Sequence, residues 1–162
     1  MMYRRLLILL TALAAAFAAV SCETEVREAI INQDKWIDDY LQANFADREV
    51  VRDRGISRVV LVDTLVGVPA IEKGDSTYLY LAGYTFGQGG PGNRFALDSG
   101  MFRVGNGDLI QGLDRGLIGA HLGQEAIIVF SSENGYGNQQ VGLVPENTAL
   151  LFDVLVAAIK KN

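Results

Sequence analysis

Residues Met101 to Asp153 read MFRVGNGDLIQGLDRGLIGAHLGQEAIIVFSSENGYGNQQVGLVPENTALLFD, and this stretch decides the fold. Its order is strand, tight glycine turn, short helix, glycine turn, long strand, glycine-rich flap and final strand. Gly105, Gly107, Gly112, Gly116, Gly119, Gly123, Gly135, Gly137 and Gly142 punctuate it. Glycines at this density mark sharp turns or close approach of other chain segments. Leu109 to Leu117 is the predicted helix, because Leu109, Ile110, Leu113 and Leu117 share one face at helical spacing. So short a helix cannot persist alone in water and must be pinned by packing. The flanking strands, predicted at Gln124–Ser131 and Ala149–Ile159, supply the surface.

Upstream, the sheet is expected to begin at Ser57–Asp63 and to continue in Ser76–Phe86. In the second of these, Thr77, Leu79, Leu81, Gly83 and Thr85 alternate with Tyr78, Tyr80, Ala82, Tyr84 and Phe86. In the last strand Leu150, Phe152, Val154 and Val156 alternate with Leu151, Asp153, Leu155 and Ala157. The run FGQGGPGN (86–93) reads as a loop by composition. Strands plus one short crossing helix make the class α+β. Before the sheet, Glu25–Phe45 reads as an amphipathic helix with Val26, Ile30, Trp36, Ile37, Tyr40, Leu41 and Phe45 on its apolar side. It is expected to pack on the main domain, with self-association through this helix as the alternative. The charged residues 46–55 read as a connector. The organisation is thus a targeting segment (1–21), a tether and helical extension (22–56) and a main domain (57–162).

The first 21 residues carry Arg4 and Arg5, then an apolar run from Leu6 to Val20 broken only by Thr11. Fifteen residues fall short of the roughly 20 a spanning helix needs, so this is a signal peptide. Ala19-Val20-Ser21-Cys22 resembles a bacterial lipobox, with alanine where leucine is preferred. Cys22 is the sole cysteine, so no intrachain disulfide can form, and lipidation accounts for it. The mature chain is then expected outside the cytoplasm, held by a lipid on Cys22 to a bacterial membrane, the outer one being favoured. Without the signal, twelve basic side chains face nineteen acidic ones, which argues against nucleic acid as a partner. A single histidine, His121, between Gly119 and Gly123, leaves no metal cluster and no nucleophile–base array. It reads as a turn residue. No metal or cofactor is expected.

The ordered motifs resemble the FKBP-type peptidyl-prolyl isomerases. The family's opening appears as Phe102-Arg103-Val104-Gly105 through Ile110-Gln111-Gly112. Its later marks look like Gly116/Gly119/Gly123, Tyr136-Gly137 and Pro145 through Phe152-Asp153. Gly67-Val68-Pro69-Ala70-Ile71-Glu72-Lys73-Gly74-Asp75 is similar to the lead-in to the family's first long strand. The likeness spans about residues 57–160 and implies a twisted antiparallel sheet wrapped around the short helix.

The implied reaction is rotation of X–Pro bonds in exported proline-containing polypeptides. Its barrier of about 18–20 kcal/mol comes from amide resonance. An apolar cup and a few donors lower it by holding a twisted, desolvated amide, with no nucleophile needed. By resemblance, Ile110 (through its N–H) and Tyr136 (through its hydroxyl) are the catalytic donors. Leu81, Phe95, Leu109, Leu113, Val144 and Phe152 are the substrate-binding residues. The pattern departs from the family at four places. Leu113 stands for the tryptophan floor, Leu81 for a tyrosine, Ala96 for an aspartate and Gly100 for a phenylalanine, although Phe102 matches its neighbour. Asp98 is a candidate replacement for the aspartate. Two further readings follow: a catalytically weak peptide-binding chaperone, and an assembly lipoprotein using the tyrosine-rich strand face.

Overall fold

The computed structural model describes residues 24, 25, 27–62 and 67–162. The signal segment, Cys22 and Val26 lie outside them. Residues 27–45 form helix α1. Strands β1 (Val50–Asp53), β2 (Ile56–Val62), β3 (Ser76–Gly87) and β4 (Gly90–Arg103) follow. Helix α2 (Gln111–Gly116), β5 (Glu125–Phe130), a 3-10 turn (Ser132–Asn134) and β6 (Ala149–Lys160) complete the fold. One six-stranded sheet has the order β1-β2-β5-β6-β3-β4, with every pair antiparallel. The α+β class is as expected.

Three sequence expectations change. The charged connector contains β1, which pairs with β2 through a turn at Arg54 and Gly55. Both turn residues have positive φ, 45° and 79°, the handedness that suits the twist of a tight hairpin. Charge concealed this strand because it lies at a sheet edge, where its side chains are largely exposed. The run at 86–93 is no loop: Gly87 pairs with Gly90, so only Gln88 and Gly89 turn the chain. Finally, α2 is shorter than Leu109–Leu117, because Ile110 is extended at φ −60°, ψ 148°. The remaining strand limits agree within a residue or so.

The sheet is apolar on both faces. Its front carries Leu79, Leu81, Ile128, Phe130, Leu150, Phe152, Val154 and Val156, packed with Leu113 and Leu117 of α2. Gly112 lets the helix lie directly on Phe130; a Cβ there would sit 2.5 Å from the ring. The back carries Val59, Phe86, Ile127, Val129, Ala149 and Leu151, covered by Ile37 and Leu41 of α1, with Trp36, Tyr40 and Phe45 beside them. Tyr40 meets Phe86 edge-on at 5.3 Å. The apolar stripe of α1 is therefore used within the chain, as its period predicts. Among the described residues no helix is long and apolar enough to cross a membrane.

The chain's end is fastened by one carboxylate. Asp75 accepts from the Glu72 N–H (2.8 Å), the Lys161 Nζ (2.8 Å) and the Asn162 N–H (3.1 Å). The hydrogen bond from Lys161, then the backbone donors, hold its carboxyl below the ordinary carboxylate range. A carboxyl whose pKa is lower folded than unfolded stabilises the fold above the unfolded value. That contribution drains as pH falls through the folded value. Thermal melts below about pH 4 should therefore show a stability loss that Asp75→Asn flattens. Parallel curves for the two proteins would refute this role.

Candidate active site

The site residues expected from sequence come from five segments, and the fold gathers them on the front face. Leu81 (β3), Leu113 (α2), Val144 (flap) and Phe152 (β6) belong to one buried cluster. Phe95 (β4), Leu109, Ile110 and Tyr136 pack against it, half-buried. The set thus has two depths. Leu113 and Val144 are 2% and 1% exposed and form a floor. Phe95, Leu109, Ile110 and Tyr136 form a rim that solvent reaches. Phe102, which also packs here, belongs with the rim.

Aromatic stacking sets the shape of the wall. Phe152 stacks on Phe130 at 6.1 Å and 17° and takes the edge of Phe95 at 5.6 Å and 89°. This meeting requires Gly83 on β3. A Cβ at Gly83 would lie 2.7 Å from the Phe152 ring and 2.9 Å from the Phe95 ring.

Two donors meet this surface. The Ile110 carbonyl accepts the Asp114 N–H at 2.9 Å, whereas its own N–H bonds to no described residue. That N–H stands just before the first turn of α2, where amides point out of the helix without partners. The Tyr136 hydroxyl likewise donates to no described residue. His121 sits in the turn after α2, bridged to Ala70, as expected.

Asp98 stands opposite Leu81 in the β3–β4 register, on the front of the sheet, and is exposed. Its Oδ1 accepts the Ser99 N–H at 2.8 Å, and the residue borders a depression of about 740 Å³ with Leu61, Tyr80, Leu97, Glu125 and Asp153. Tyr80, Leu97 and Asp153 lie on the back of the sheet, so this hollow is not the cup. Ala96, opposite Gly83, holds the position beside Phe95 and Phe152.

Two residues that hold α2 escaped the sequence reading. Arg58, buried on β2, donates through Nη1 to the carbonyls of Gly116 (2.8 Å) and Ile118 (2.7 Å). It caps the helix C-terminus with a cation, the sign the helix dipole favours. Burial pulls its pKa down, and the charge of Glu49 works against that. Asp114 accepts from the N–H groups of Gly105 (2.7 Å) and Gly107 (3.3 Å), fixing the turn that delivers Leu109 and Ile110. A charged residue inside an apolar pattern was the available signal for both.

Gly83→Ala is expected to force the Phe95 and Phe152 rings apart. Chemical denaturation should register a loss of about 1–3 kcal/mol, with a changed near-ultraviolet aromatic spectrum. An unaltered spectrum would mean that the rings do not depend on this glycine.

A family model described as FKBP-type peptidyl-prolyl cis-trans isomerase matches residues 70–157. The FK506-binding protein 1B of Aspergillus fumigatus is 35% identical over 100 residues, covering 55% of this chain and 82% of that protein. FK506-binding protein 2 of Gibberella zeae is 30% identical over 91 residues, 54% of this chain but 46% of that protein. Among solved structures, the three FKBP domains of wheat FKBP73 superpose with a TM-score of 0.61 at 22% identity, over 71% of this chain and 50% of that one. The N-terminal domain of FKBP42 from Arabidopsis thaliana gives 0.60 at 19%, over 70% and 93%. The structural likeness shows the fold, and the family match with the Aspergillus relative shows descent. The chain belongs to the FKBP-type peptidyl-prolyl cis-trans isomerase family, enzymes that interconvert the cis and trans forms of X–Pro bonds.

Proposed function

We propose that the chain isomerises X–Pro bonds of exported polypeptides at the front-face cup, while a lipid on Cys22 holds it at a bacterial membrane. The observation that carries the catalytic part is the pair of unengaged donors, the Ile110 N–H and the Tyr136 hydroxyl, at the rim of one apolar cluster. The prolyl ring rests against Phe152, Phe95, Leu109 and Val144, and its carbonyl faces the Ile110 N–H. Apolar walls remove water from the amide, which weakens its charge-separated resonance form and lowers the rotation barrier. The Tyr136 hydroxyl holds the substrate carbonyl next to it. Each donor acts by favouring the twisted amide over either planar form.

The division into signal (1–21), extension (22–56) and domain (57–162) belongs to the same reading. Its support is the Arg4/Arg5 and apolar pattern ending at Cys22. The small side chains of Ala96 and Leu113, where the family has aspartate and tryptophan, favour a second reading. In it the cup holds peptide with slow turnover, as a chaperone does.

A protease-coupled assay on short X–Pro peptides, with the full chain in mild detergent, separates the two. Tyr136→Phe and Ile110→Pro each remove one donor, and the observed φ of −60° at Ile110 suits proline. Each is expected to lower kcat/KM by about tenfold, the worth of one hydrogen bond. Unchanged turnover in both would move the reaction away from this cup; negligible turnover with intact peptide binding would leave the holding role. For the anchor, Cys22→Ser should abolish labelling by radioactive palmitate and release the chain from membranes.

A further inference from the structure

Helix α1 carries one polar residue inside its apolar stripe. Gln33 follows Ile30 by three positions and precedes Ile37 by four, and it is 3% exposed. Its Oε1 accepts the Ser132 N–H at 2.7 Å, and its Nε2 donates to the Asn147 carbonyl at 2.7 Å. Both partners are backbone groups of fixed sense, so the orientation of the amide follows from them.

Ser132 and Asn147 are the two ends of the flap that carries Tyr136. They also meet through its middle. The Gly137 N–H donates to the Ser132 carbonyl at 2.9 Å, and the Asn147 N–H donates to the Gly137 carbonyl at 2.7 Å. Gln33 thus closes a ring of hydrogen bonds through Ser132, Gly137 and Asn147, and Tyr136 is the residue before Gly137. Asn147 holds a left-handed φ of 51°, a conformation of some cost that its surroundings must enforce. Beyond this ring the flap has the 3-10 turn, with the Asn134 and Gly135 N–H groups donating to the Ser131 and Ser132 carbonyls and the Asn134 side chain donating to the Arg54 carbonyl. Past Tyr136 it has a Val141–Val144 bridge, a bond from the Gln139 N–H to the Tyr136 carbonyl and the buried Val144 side chain.

We infer that Gln33 is a positioning residue for the isomerase site, and that α1 is the element that sets the flap. A long loop has many arrangements, and each lost arrangement that misplaces the tyrosine hydroxyl favours the productive one. The side-chain amide removes them by holding both stems at once. The helix that carries it lies on the far side of the sheet from the cup, so control of the flap comes from the segment that follows the tether. This inference rests on the reading of Tyr136 as a donor.

The test uses Gln33→Met, which keeps length and apolar bulk but makes neither bond, alone and combined with Tyr136→Phe in the full chain. Amide hydrogen exchange is read alongside kcat/KM. Flap amides from Gly135 to Val144 should exchange about tenfold faster, with β5 and β6 unchanged. Gln33→Met should lower kcat/KM by about tenfold in the natural background and scarcely at all in the Tyr136→Phe background. Additive losses, or an unaltered flap, would overturn the inference. If Tyr136→Phe alone left turnover intact, the donor reading would fail, while the exchange pattern would still decide whether Gln33 sets the flap. Gln33→Glu is the second variant, should Gln33→Met not fold. It keeps an acceptor for Ser132 but turns a carboxylate toward the Asn147 carbonyl, so the Asn147 end of the flap should loosen most; equal protection at both ends would count against the clamp.

Discussion

Everything at the cup depends on a six-residue helix lying on a sheet. Such a helix has too few internal hydrogen bonds to survive by itself, so its position is set from outside. Gly112 and Gly116 let it touch Phe130 and Ile128 at a distance no side chain would permit. Arg58 grips its last carbonyls, and Asp114 binds it to the turn before it. The N–H of Ile110 is unbonded among the described residues because the helix starts after it, and its place is fixed because the helix cannot roll. Close contact, a cap and a turn lock together convert a weak local preference into a fixed donor.

Much of this was legible in the residues. The glycine spacing, the Leu109–Leu117 face and the alternation in β3 and β6 specify the sheet, its two faces and the crossing helix. The ordered motifs located all eight expected site residues in one cluster. Features that depend on what a charge meets in space were not legible. The acidic and basic residues of β1 look like a linker, and only pairing with β2 makes them a strand. Gly89-Gly90-Pro91-Gly92 looks like a loop, and only the long β3–β4 ladder makes most of it strand. Gln33 was visible as a polar residue in an apolar stripe, but its partners are about a hundred positions away.

The extension changes what kind of molecule this is. The sheet has a helix on each face, so both sides of β5 and β6 are core. The candidate cup lies on the front, and α1 packs on the back. The two are separated by the thickness of one sheet, and the flap stems at Ser132 and Asn147 are where α1 reaches the cup side.

A sheet that is greasy on both sides has a particular problem with alignment. In a half-exposed strand, slipping by one residue turns the apolar row out into water, and that penalty enforces the register. For β6 the same slip would merely exchange Leu150, Phe152 and Val154 for Leu151, Asp153 and Leu155. Two of those three replacements are leucines, so greasiness alone barely distinguishes the states. Asp153 breaks the tie. On the back face it borders an open hollow, whereas shifted by one place it would be driven, ionised and unpaired, into the Phe130 and Leu113 core. A single acid in the last strand acts as a spelling check on the order of the whole sheet.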